Sequence, residues 1–99
     1  LRLAWMALLA DAASSHTLLD QKTATGFTPK QELFLGWGQN WCASERSEYL
    51  RLAVQVDVHS PDRIRANGVV VNMPEFSEAF GCKKGQLMSP APEKMCRVW

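Results

Sequence analysis

Apolar positions recur along this chain mostly at helical spacing. Leu1, Trp5, Leu8, Leu9 and Ala12 share one face of residues 1–13, a stretch rich in Ala, Leu and Met with neither Gly nor Pro, so a helix is expected there. Residues 14–27 are polar and β-branched and end on Gly26-Phe27, which reads as an exposed connection holding His16 as a solvent-facing residue. Thr28-Pro29-Lys30-Gln31 is a helix start: Thr28 can accept from the backbone of Gln31, Pro29 suits the first turn, and Gln31 can reach back to complete a capping box. Leu33, Phe34, Trp37 and Trp41 follow on one face, which predicts a helix over about 28–43 with an aromatic core stripe. Gly36 and Gly38 each cost about 1 kcal/mol relative to Ala in a helix, so close packing against another element is the expected reason for them.

The next stretch carries two patterns at once. Leu50, Leu52, Val54, Val56 and Val58 alternate with polar or small residues, which is a strand signature. Ser47 as an N-cap, followed by Glu48-Tyr49-Leu50-Arg51-Leu52-Ala53, favours a helix, and a helix over about 47–55 is the expectation. Pro61 then fixes its own φ and pushes Ser60 toward an extended conformation, making a stiff corner between His59 and Arg65 that Asn67-Gly68 closes. Residues 68–71 form a short apolar run. Pro74 opens a last helix, expected over 74–80, with Phe76 and Phe80 one turn apart and Gly81 as its stop. From Lys83 onward the chain is Gly-, Pro- and Ser-rich, a loop-like tail in which Cys96 and Trp99 look like the residues that tie it down. The fold class this predicts is mainly α.

Composition narrows the picture. A chain of 99 residues with 46% apolar content makes one domain at most, with a modest core. Eleven basic residues against ten acidic ones give a net charge of +1, so no electrostatic case exists for nucleic acid or an anionic membrane. No apolar run approaches the roughly 20 residues of a bilayer span. The cysteines are three, Cys42, Cys82 and Cys96, an odd number that cannot close internally. Their spacing matches neither a zinc finger nor a redox pair. They are paired outside these residues or are buried reduced thiols, which free cysteines commonly become.

The candidate chemistry sits at the corner. An imidazole at His59 and a guanidinium at Arg65 are the donor types that bind a carbonyl oxygen turning negative during acyl chemistry. Asp57, two residues before His59, is a possible orienter of its ring. No His-Glu-x-x-His is present, and His16 and His59 are too far apart in sequence to form a ligand pair by spacing, so no metal ligand is expected in this chain.

Four motifs in order carry a resemblance: Phe27-Thr28-Pro29 with Leu33-Phe34-Leu35 and Gln39-Asn40-Trp41-Cys42; Asp57-Val58-His59-Ser60-Pro61 with Arg65 and Gly68; Pro74-Glu75-Phe76-Ser77-Glu78-Ala79-Phe80-Gly81-Cys82; and Cys96-Arg97-Val98-Trp99. Together they resemble the extreme carboxyl end of the neprilysin and endothelin-converting-enzyme family of zinc metallopeptidases. The resemblance implies that the chain is the C-terminal helical portion of a thermolysin-like metallopeptidase catalytic domain, with a loop-rich tail. It implies that zinc is bound by residues upstream of Leu1, and that His59 hydrogen-bonds the oxyanion of the tetrahedral intermediate. Arg65 would bind a substrate backbone carbonyl; Arg63 adds a second arginine beside it. It further implies disulfides from Cys42, Cys82 and Cys96 to regions outside this segment, hence an extracellular, periplasmic or outward-facing location. The expected partners are the remainder of the peptidase chain and peptide substrates. The segment alone is then expected to be inactive. The alternative is a non-catalytic secreted helical module, derived from such a peptidase, that binds a partner through its aromatic faces.

Overall fold

The computed structural model describes residues 1–96; Trp99, expected to tie down the tail, lies outside the described residues. The fold is mainly α, with no strand among the described residues. Five helices follow in order: α1 (Arg2–Ser15), α2 (Pro29–Asn40), α3 (Ser47–Val56), α4 (Asp62–Val70) and α5 (Pro74–Ala79). The tail adds a 3₁₀ turn at Pro92–Lys94 and a tight turn closed by the Gln86–Ser89 bridge.

Helix α2 is the one that α1, α4 and α5 pack on. Its capping box forms: Gln31 donates its backbone N–H to Thr28 Oγ1 at 3.3 Å, and the Thr28 N–H donates to Gln31 Oε1 at 3.0 Å. The amide of the same Gln31 side chain donates to the Ala79 carbonyl at 2.8 Å, which ties the start of α2 to the end of α5. Phe34 is the hub of the core. Trp5 of α1 stacks on it with ring centroids 5.5 Å apart, and Phe76 of α5 meets it edge-on at 5.4 Å. Val70 from α4 and Met73 complete the buried cluster, with Leu33, Trp37, Phe80 and Met88 packed around it. At the end of α5, Gly81 adopts φ 63°, the left-handed conformation that lets the backbone turn away from the helix at little steric cost.

The structure departs from the expectations in four places. Helix α4 runs through Asn67-Gly68, which had read as the close of a corner, and through most of the apolar run 68–71. Tertiary contacts outweigh the turn signal: Val70 is buried in the core, and Trp37 Nε1 donates to the Ala66 carbonyl at 3.2 Å. Helix α2 ends at Asn40 rather than near 43, because Trp41 leaves helical geometry and Cys42 bonds back to the Gln39 carbonyl. Ser47 is the first helical residue of α3; Arg46 occupies the cap and makes no side-chain cap bond. A Cβ added at Gly36 or Gly38 would meet nothing within 4 Å, so no described element makes the close approach expected of these glycines.

Candidate functional site

His59 and Arg65 are delivered by two different elements on either side of Pro61. Helix α3 stops at Val56, and Asp57 continues in extended geometry with its N–H still bonded to the Ala53 carbonyl. Pro61 has no N–H and a fixed φ, so it cannot continue a helix from α3, but it can open one. It caps α4: its carbonyl accepts from Ile64 N at 2.8 Å and Arg65 N at 3.1 Å. The chain therefore passes from one helix to the next across Val58–Pro61, leaving His59 on the link and Arg65 in the first turn of α4.

Asp57 holds His59 locally. Its Oδ1 accepts the His59 backbone N–H at 2.9 Å and contacts the ring Nδ1 at 2.9 Å. An ionised carboxylate can only accept, so Nδ1 carries the proton and Nε2 is left without a partner from Asp57. These contacts hold the Asp57 carboxyl below the usual carboxylate range; the His59 N–H is the largest cause, the His59 ring the next, with the Arg65 charge a smaller aid. Both side chains stay open to solvent, 63% exposed for His59 and 41% for Asp57.

Arg65 is held differently. Its guanidinium carbon lies 4.1 Å from the centroid of the Trp41 ring, and Trp41 in turn meets Trp37 edge-on at 5.5 Å. Trp41 had read as part of a core stripe. Its contact with Arg65 carries no sequence signal, because the two residues are 24 positions apart, one just past the end of α2 and the other in α4. A cleft of about 210 Å³ brings the pieces together: Asp57, His59, Pro61 and Arg65 line it along with Glu45 and Tyr49.

The donor set does not fit a zinc site. Among the described residues no group of three or more His, Cys, Asp or Glu side chains could hold a metal ion, and Nδ1 of His59 is already engaged. His16 is remote in role as well, serving as the left-handed C-cap of α1 at φ 56°. Cys42 and Cys96 are exposed and Cys82 is half-buried, each a free thiol within the described residues, so burial does not account for all three. No helix among the described residues is long and apolar enough to cross a membrane.

The family model of peptidase family M13 matches residues 1–96. Neprilysin of Homo sapiens is 49% identical over 70 residues, covering 71% of this chain and 9% of that protein. Membrane metallo-endopeptidase-like 1 of Mus musculus is 38% identical over 96 residues, 97% of this chain and 12% of that protein. Neprilysin-1 of Caenorhabditis elegans is 43% identical over 72 residues, 73% of this chain and 9% of that protein. The chain thus spans about a tenth of the length of the curated relatives it matches.

Proposed function

The chain belongs to peptidase family M13, and on that premise we propose that it is the C-terminal portion of a neprilysin-like zinc metalloendopeptidase that hydrolyses peptide bonds in oligopeptides. His59 stabilises the oxyanion of the tetrahedral intermediate, Arg65 binds a substrate backbone carbonyl, and Asp57 orients His59. The observation that carries this reading is the Asp57–His59 contact beside Arg65 in one cleft. With Nδ1 bound to a carboxylate, Nε2 is the ring nitrogen left to face a ligand, and it can donate a hydrogen bond when the ring is an imidazolium. A fixed donor aimed at developing charge is worth about 3–4 kcal/mol of barrier. Arginine suits the second task because its fork offers several donors and keeps its charge.

The zinc is held by residues outside this segment, and when bound it supplies Lewis-acid polarisation and an activated water. The 99 residues alone are accordingly inactive. Cys42, Cys82 and Cys96 form disulfides with the remainder of the chain, which places the enzyme in an extracellular, periplasmic or outward-facing setting. The exposed apolar side chains of Leu3, Leu52, Val56 and Val58 suit burial against that remainder. The same exposure also supports the second reading, a secreted binding module without catalysis, in which a partner covers these side chains.

His59→Ala in the complete enzyme tests the proposal. The expected result is a kcat lower by about 10²-fold or more with zinc content unchanged. A variant that keeps its kcat would sink the role given to His59.

A further inference from the structure

Resting on the reading of His59 and Arg65 as substrate contacts, we propose that Glu45 makes their cleft a subsite for a basic side chain, lysine or arginine, flanking the scissile bond. The cleft, at about 210 Å³, falls below the roughly 300–1,000 Å³ of a pocket that encloses a whole small molecule, so one long side chain is the occupant it suits. Its lining has two characters. Leu50 and Ala53 of α3, both half-buried, offer apolar surface, and Tyr49 beside them is 54% exposed. Glu45, Asp57 and Asp62 supply carboxylates. A lysine or arginine divides in the same way, into an apolar stem and a cationic head. The stem fits Leu50, Ala53 and the Tyr49 ring, and the head fits a carboxylate.

Charge decides which head the cleft takes. Three carboxylates stand against Arg65, so the lining stays negative even when His59 is an imidazolium. Two of the three have other roles. Asp57 holds His59, and Asp62 lies in the first turn of α4, where the positive end of a helix favours an acid. Glu45 sits on the link between α2 and α3. The ion pairs among the described residues join Lys30 to Asp20 and His59 to Asp57, so Glu45 has no cation there. An uncharged side chain of similar length would make the stem contacts and leave that carboxylate unmatched. Because the cleft also holds His59 and Arg65, the basic residue belongs next to the bond being cut.

The test uses the full-length zinc enzyme and internally quenched oligopeptides in matched pairs, with lysine or methionine at each position flanking the scissile bond. Wild type is expected to favour lysine at one of these positions by about fivefold in kcat/KM, the scale of an exposed ion pair, and by less at high salt. Glu45→Gln should bring that ratio close to unity, and Glu45→Lys should turn it in favour of methionine. A carboxylate that served only the start of α3 would change the melting temperature and leave the ratio alone. An equal ratio in wild type and Glu45→Gln, or no lysine preference at any position, would overturn the subsite. If His59→Ala and Arg65→Ala both cleave the methionine peptides as wild type does, the reading of the cleft on which the proposal rests fails instead.

Discussion

The two donors of the cleft are held by opposite means. Arg65 belongs to the packed part of the molecule: its helix is anchored by Val70 in the core, its neighbour by Trp37, and its side chain by Trp41. His59 belongs to the limb that α3 and the Val58–Pro61 link form, where no residue of α3 is buried and Val58 is 93% exposed. There the ring is held by Asp57 alone among the described residues. One donor is fixed by packing across the fold, the other by a bond to its own neighbour in sequence. The difference teaches that the two can be damaged separately.

Phe34→Ala should separate them most sharply. Removing the hub that Trp5, Phe76 and Phe80 touch costs about 3–5 kcal/mol and loosens α1, α2 and α5 together. Calorimetry of the complete enzyme should show a lowered transition, and a variant within 1 kcal/mol of wild type would mean that the core does not support this part of the molecule. His59→Ala is the mirror image: the loss of kcat stated above, with the melting temperature unchanged because the side chain is exposed.

Asp57→Asn comes next. The amide oxygen can still accept one bond, but the negative charge is gone, and kcat should fall about tenfold with zinc retained. Equal kcat in the two proteins would show that His59 needs no charged neighbour. The pH dependence of the contact follows from the same carboxylate. Its pKa in the folded protein is depressed, so the stabilisation is complete above the usual carboxylate value and disappears as pH falls through the lowered one. Carbon NMR of the Asp57 carboxyl should therefore show titration below about 3.9; a midpoint at or above that would break the picture of a limb held by Asp57.

The smallest effect belongs to the packed side. Thr28→Ala removes half of the capping box and should cost about 1 kcal/mol, with no change in kcat. A matching loss of activity would show that the start of α2 is coupled to the cleft.

The features that could be read in advance are those made by residues close together in sequence. The capping box at Thr28-Gln31, the stop at Gly81 and the nearness of Asp57 to His59 each span four residues or fewer, and their chemistry is set by residue type at fixed spacing. Family membership was legible for a related reason, since ordered motifs survive without knowledge of their contacts. Helix α4 was not, because Asn67-Gly68 is a turn signal on local grounds and only the burial of Val70 and the Trp37 bond to Ala66 outweigh it.

The sequence by itself determined which segments would be helical around α1, α2, α3 and α5, and that an imidazole and a guanidinium would flank Pro61. Tertiary structure alone decided that Trp41 would lie under Arg65, that Gln31 would reach the end of α5, and that the Asn72 side chain would accept the Cys96 N–H. Contacts of this kind depend on how helix faces meet across stretches of 24 to 48 residues. Their geometry comes from packing around Phe34, which no spacing rule along the chain can specify.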